Sequence, residues 1–157
     1  PVSEPFHFAP ATPDQQDLLQ DLTFRAKASW GYDAEFMELL RDDIAITPEM
    51  FARDSFMTAI RDGAVIGYVQ LTPTDRPDVL HMENLYVAPE AQGSGVGRAL
   101  IEWGFAETAR QGYDWLEWDS DPNAAPFYER MGGERISEME STLRAGRMIP
   151  KFRKRVT

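Results

Sequence analysis

The sequence predicts an α/β fold, and three observations carry that expectation. Residues 79–87 form an apolar-rich, strand-like run, a glycine-dense turn follows Pro89, and from Arg98 onward apolar residues recur at helical spacing. Along the rest of the chain, segments of strand and helix character follow the order β-α-α-β-β-β-α-β-α-β-β. Between residues 56–61 and 64–71 sits Asp62-Gly63, the strongest short hairpin signal in the chain.

Taken in order, residues 6–8 form a short first strand. Pro13 and Asp14 then open a helix that runs to about Ser29, with Leu18, Leu19 and Leu22 as its apolar stripe. Trp30-Gly31 breaks it. A second helix spans about residues 33–44, with Phe36, Met37, Leu39 and Leu40 on its buried side. The hairpin strands follow, then a polar loop at 73–77, the strand at 79–87 and the helix that ends near Gly112. Residues 115–119 make a further strand, Asn123 caps a short helix to about Met131, and Gly132-Gly133 closes it. Residues 134–139 form another strand. In residues 148–156, Met148, Pro150, Phe152 and Val156 alternate with Lys151, Arg153 and Arg155, which predicts an edge strand with a charged outer face.

With 157 residues and 43% apolar composition, residues 1–157 hold one core and are too few for two ordinary domains. There is no cysteine, which excludes disulfides, thiolate metal sites and an acyl-cysteine intermediate. Only His7 and His81 could offer imidazole to a metal, so no metal is expected. No apolar run approaches a membrane span, and a basic-then-apolar leader is missing, so a cytoplasmic protein that does not enter membranes is expected. The net charge of -10 is uneven: Arg144, Arg147, Lys151, Arg153, Lys154 and Arg155 carry the last 17 residues, while residues 1–140 hold 26 acids against 10 bases. Such an acidic body repels nucleic acid and suits a cationic amine. The basic tail alone supports a reading as an anion or nucleic-acid contact; homodimerisation is left open.

Glycines let a backbone approach a ligand closely, and a helix N-terminus presents unpaired N–H groups, so the turn at 92–98 suits a phosphate. It is not a P-loop, because Arg98 and Ala99 stand where lysine and a hydroxyl residue are needed. The dinucleotide pattern fails too: counted from Gly93 and Gly95, its third glycine falls on Arg98, although Glu117 and Asp119 lie near the distance of a ribose-binding carboxylate.

The run Gln92, Gly93, Ser94, Gly95, Val96, Gly97, Arg98 resembles the acyl-CoA pyrophosphate loop of the GNAT superfamily of N-acetyltransferases: Gln or Arg, two residues, Gly, one residue, Gly or Ala. The preceding N-L-Y-V-A-P-E resembles the family's central strand and its exit, and D-P-N-A-A-P-F-Y-E-R-M-G-G-E its second cofactor segment. Together these blocks cover about residues 64–136 in the family's order. The resemblance implies the GNAT fold, a central mixed, mostly antiparallel sheet flanked by helices, and acetyl-CoA as the acyl donor to a primary amine by direct attack in a ternary complex. It further implies that the backbone of Leu85, Tyr86 and Val87 pairs with the pantetheine arm and polarises the thioester oxygen. Asn123 would bond the same arm.

The chemistry needs a proton acceptor, because a primary amine with a pKa of about 10.4 is mostly protonated at pH 7. Glu83 matches a position where family members carry a general-base glutamate, and His81, two residues away on the same face, is the second candidate. Tyr128 matches the tyrosine that protonates the leaving thiolate. By reference values that transfer is uphill by about 2 kcal/mol, so its help is modest, roughly 10²-fold. In the family the first two helices wall the acceptor site, which makes Trp30, Tyr32, Asp33 and Phe36 substrate-pocket candidates; core anchors and an N-cap are the alternative. The rival to an enzyme is a degenerate acyl-CoA-binding sensor or assembly module, against which stand Tyr128 and Glu83.

Overall fold

A computed structural model describes residues 5–157. Its spine is one seven-stranded sheet in the order β1-β2-β3-β4-β5-β7-β6. The strands are β1 His7–Pro10, β2 Ser55–Arg61, β3 Ala64–Pro73, β4 Val79–Val87, β5 Trp115–Asp119, β6 Glu134–Glu140 and β7 Met148–Arg155. Five of the six neighbouring pairs are antiparallel and the β4–β5 pair is parallel, so the sheet is mixed and mostly antiparallel, as anticipated. The helices are α1 Gln16–Ala28, α2 Ala34–Asp43, α3 Pro48–Arg53, α4 Val96–Arg110 and α5 Ala125–Arg130.

Both sheet faces are covered. One packs Val69, Leu71, Leu80 and Leu116 against Val96, Leu100 and Ile101 of α4, with Trp118, Tyr128 and Phe152 completing the cluster near α5. Each such aliphatic side chain contributes about 1.5–3 kcal/mol on burial. The other face sets Tyr68 and Phe56 against Leu19 and Leu22 of α1, and Phe36, Met37 and Leu40 of α2 form a smaller cluster beside it. The hairpin turn needs both central residues left-handed, and Asp62 at φ 52° and Gly63 at φ 77° supply that.

Several sequence expectations are corrected. Leu18 and Leu39 are 46% and 49% exposed, outside the stripes they were assigned to. One helical step of about 100° turns each away from its buried neighbour, Leu19 or Leu40. Helix α3 goes unforeseen despite its start signals, Thr47 at the N-cap, Pro48 in the first turn and Glu49 after it, because a helix of 6 residues shows too little periodicity. Asn123 does not cap its helix: Asp121 does, accepting the Asn123 N–H at 2.8 Å.

The largest correction concerns residues 148–155. They are not an edge strand: β7 lies between β5 and β6, and fully exposed β6 is the edge. Pro150 and Phe152 turn into the core, and the basic residues between them meet acids on both sides. Arg153 pairs with Glu134 at 3.0 Å, and Lys151 lies 3.8 Å from Asp119 and 3.9 Å from Glu117. Arg153 and Arg155 also lie over the Trp115 ring. Lys151 and Arg153 are thus part of the sheet's own acid–base ladder, and Arg144 and Arg147, before the strand, pair with Asp33 and Asp121.

Candidate active site

Parallel strands β4 and β5 pair only over Val79, Leu80 and His81 with Trp115, Leu116 and Glu117. Beyond that point β4 runs on to Val87 and β5 to Asp119 without pairing each other, so the sheet opens into a V. A cleft of about 520 Å³ occupies it, within the usual range for small-molecule sites. Met82 to Val87 line one side, Asp119, Asp121, Asn123, Ala124 and Pro126 to Tyr128 the other, and the turn after β4 closes one end.

A bulge re-aims the first of these side chains. Gln70 of β3 faces Asn84 and Leu71 faces Met82, which leaves Glu83 as the extra residue of β4. Glu83 is about half exposed on the cleft, and His81 Nε2 lies 3.5 Å from its Oε2. His81 therefore shares Glu83's side but does not line the cleft.

The glycine turn has the form an anion site requires. Gly93 and Gly95 take φ of 78° and 89°, a left-handed backbone that L side chains strain to adopt. The first bond of α4 runs from the Ala99 N–H to the Gly95 carbonyl at 3.0 Å. Among the described residues, the amides of 93–98 donate to no backbone carbonyl and are free for a ligand at the positive end of a helix of 15 residues. Gln92, Gly93, Gly95, Gly97 and Arg98 line the cleft. Ser94 instead turns its hydroxyl back to the Ala91 carbonyl, and Val96 is fully buried, so these two can serve only through their backbone.

Tyr128 is 7% exposed and sits against Trp118, Phe127 and Phe152. Burial, with smaller contributions from Tyr86 and Asp121, pushes its phenol far above the ordinary value, so it is protonated at every working pH. Its hydroxyl has no hydrogen-bond partner among the described residues and the side chain lines the cleft. Tyr86, whose phenol burial also pushes up, lies across the V.

Beside this arrangement stands a buried polar cluster that the sequence did not disclose. Asp121, with a side chain 5% exposed, accepts from Tyr32 Oη at 2.8 and 3.0 Å, from Arg147 at 3.0 Å, and from Asn123 Nδ2 at 3.0 Å. Lys27 Nζ lies 3.5 Å away and sits over the Tyr86 ring. Burial alone would raise the Asp121 pKa, but the Lys27 charge and the bonds from Asn123 and Tyr32 outweigh it and hold the carboxyl below its usual range. The cluster locks α1, the loop before α2 and the β6–β7 connection onto the end of β5.

The four acceptor-side candidates separate accordingly. Trp30 is 40% exposed and lines the cleft. Tyr32 reaches it through Asp121 and through Asn123, whose Nδ2 donates to its hydroxyl at 3.1 Å. Asp33 caps α2, accepting the Phe36 N–H at 2.8 Å, and pairs with Arg144 at 2.8 Å outside the cleft. Phe36 has no exposed surface and is a core residue beneath Tyr32 and Arg144, so its reading as a substrate contact is corrected. Sequence reasoning also passed over Asn84, Phe127 and Arg130, which line the cleft. Asp121 did carry a signal, an Asp before Pro-Asn at a helix start; Lys27 on the buried stripe of α1 carried a weaker one.

The residues present fit an acyl-CoA: an anion cradle of free amides, a slot between unpaired strand edges for an amide-bearing arm, and a polar end with a protonated phenol. Comparison with known proteins agrees. Residues 52–132 match the family model of the acetyltransferase (GNAT) domain, and the chain belongs to that family. It is 30% identical over 119 residues to an uncharacterised N-acetyltransferase encoded in the pepI 3′ region of Lactobacillus delbrueckii subsp. lactis, covering 67% of this chain and 66% of that protein. It is 34% identical over 121 residues to the mycothiol acetyltransferase of Kytococcus sedentarius, covering 75% of this chain and 35% of that protein. The chain thus spans about two thirds and one third of these relatives' lengths. Among solved structures, the PaiA N-acetyltransferase of Thermoplasma acidophilum in complex with coenzyme A superposes with TM-score 0.78 at 14% identity over 96% of this chain and 99% of that one. The ribosomal-protein-S18-alanine N-acetyltransferase of Escherichia coli does so with TM-score 0.73 at 16% identity over 98% and 95%. The fold is the GNAT fold.

Proposed function

We propose that this chain is an acetyl-CoA-dependent N-acetyltransferase, folded as a single domain, that moves the acetyl group to a primary amine by direct attack in a ternary complex. The observation that carries the reading is the splayed β4–β5 cleft, which has free amides at one end and Glu83 and Tyr128 on its walls. When bound, acetyl-CoA supplies a thioester carbonyl as electrophile and a sulfur as leaving group. Residues 93–98 hold the pyrophosphate through backbone N–H groups, with Arg98 beside them; charge-assisted bonds of this kind are roughly twice as strong as neutral ones. The unpaired backbone of Leu85, Tyr86 and Val87 orients the pantetheine arm, and Asn123 faces the same arm from the opposite wall.

Glu83, through water or directly, takes the proton from the ammonium. The freed nitrogen would form the new N–C bond as the C–S bond breaks; Tyr128 would give a hydrogen bond and then its proton to the thiolate, and the second proton shed by the nitrogen would restore the phenol. Burial raises the Tyr128 phenol, so full transfer is more uphill than reference values suggest, and its main contribution is a hydrogen bond that strengthens as charge gathers on sulfur. Trp30 shapes the acceptor entrance.

A screen for free-thiol release from acetyl-CoA across amino acids, polyamines, aminoglycosides and peptide N-termini tests the reading. Turnover with at least one amine, with one N-acetyl product per thiol, is the expected result. Tight coenzyme A binding with no amine turned over would instead favour a non-catalytic acyl-CoA sensor.

A further inference from the structure

We propose that the side-chain oxygen of Asn84 is a fixed hydrogen-bond acceptor for the substrate amine, its direction set by a buried amide relay that begins at Asp54. This deepens the acetyltransfer reading above and rests on it. An ionised carboxylate accepts hydrogen bonds and donates none, and that single fact propagates through two amides.

The Asp54 side chain has no exposed surface, and Arg53 grips its two oxygens at 2.6 and 3.0 Å. Burial alone would raise its pKa, but bonds from Arg53, Gln70 and Thr72 outweigh this and keep the carboxyl below the ordinary range, hence anionic. Fully buried Gln70 must therefore turn its NH₂ to Asp54, at 2.7 Å, which directs its oxygen the other way. Asn84 lies directly opposite Gln70 in the β3–β4 ladder, and facing that oxygen it must present its own NH₂, at 2.8 Å. Turning either amide over would set oxygen against oxygen in a buried site. What remains is Asn84 Oδ1, without a partner among the described residues, on a residue that lines the cleft.

An acceptor fixed in this way selects its ligand. Glu83, the extra residue of the bulge, precedes Asn84 in the chain and lines the same cleft, so the site carries two acceptors. Such a pair repels carboxylates and carbonyls and matches a group rich in N–H, as a primary amine is. Asn84 touches the substrate; Gln70 and Asp54 are positioning residues acting through it.

The test uses ¹⁵N-labelled protein saturated with coenzyme A, which cannot react, titrated with n-butylamine, putrescine or L-lysinamide. Tetramethylammonium, a cation without N–H, is the control. The Asn84 side-chain amide resonances should shift saturably with at least one amine and not with the control. Asn84→Ala and Asp54→Asn should each weaken that binding five- to tenfold with coenzyme A affinity within twofold of wild type. In the Asn84→Ala background Asp54→Asn should add nothing, since the relay then has no endpoint. Asn84→Ala removes only the last amide of the relay and leaves Gln70 paired with Asp54, so it decides the matter even if Asp54→Asn unfolds the chain. No shift with any amine, unaltered amine affinity in Asn84→Ala, or a loss of coenzyme A affinity instead would overturn the proposal. Amine-specific shifts in a protein that acetylates no amine would defeat the acetyltransferase reading and leave the relay standing.

Discussion

The two ends of the cleft are made by different means. The end proposed for phosphate is backbone: two left-handed glycines leave the amides of residues 93–98 without backbone carbonyl partners among the described residues. The end proposed for the acceptor is side chain: Asp121 is held by Lys27, Tyr32 and Arg147, all distant from it in sequence, and Asn84 by Gln70, which Asp54 holds in turn. A backbone cradle tolerates change in what surrounds it but not in its glycines. A side-chain cluster fails when any one partner is lost, because a buried charge is left behind.

Breaking the side-chain end should therefore cost stability first. Asp121→Ala leaves Lys27 and Arg147 buried without their carboxylate and should destabilise the fold by about 3–5 kcal/mol. Thermal unfolding should fall by roughly 10 °C; an unchanged midpoint would mean that the cluster is not coupled to folding. Breaking the backbone end should cost binding instead. Gly95→Glu puts a side chain on a φ of 89° and a negative charge at the cradle, and should weaken coenzyme A binding about 100-fold or more by calorimetry. Unaltered affinity would remove residues 93–98 from the phosphate site.

Between the two lies the chemistry. Tyr128→Phe should lower kcat by about 10²-fold at saturating substrates while coenzyme A affinity stays within twofold; equal rates would take the phenol out of the reaction. A smaller effect tests the packing that holds it. A Cβ on Gly133 would sit 2.9 Å from Trp118 and 3.0 Å from the Tyr128 carbonyl, so Gly133→Ala should cost about 1–3 kcal/mol in denaturant unfolding. Acid sharpens the comparison last. The folded pKa values of Asp121 and Asp54 are lowered, so their stabilisation is complete above the ordinary carboxylate range and lost as pH falls through the folded values. In Asp121→Ala this acid-dependent loss should be smaller; an identical acid transition would contradict it.

The same contrast explains what could be read from the sequence. The glycine turn, the Asp62-Gly63 hairpin and the strand at 79–87 are local patterns, and each lies where the residues indicated. The V between β4 and β5 is not written in either strand and appears only where their pairing stops after His81. Asp121 looked like one more loop acid because its partners lie 26 to 94 positions away. Leu18 and Leu39 depart from their expected stripes, and Phe36 takes the core-anchor alternative over the pocket one, because hydrophobicity alone cannot tell a core face from a lining or an exposed one. The basic residues of β7 were taken for a free outer face because their matching acids sit on strands β5 and β6.

Hydrogen exchange with and without coenzyme A tests the central claim most directly, because the cleft is proposed to work through backbone amides. Binding should slow exchange at residues 85–87 and 93–98 and leave the exposed edge strand β6 unchanged. Protection confined elsewhere, or none at 93–98 in a protein that binds coenzyme A, would contradict the assignment of the splayed β4–β5 cleft as the cofactor site.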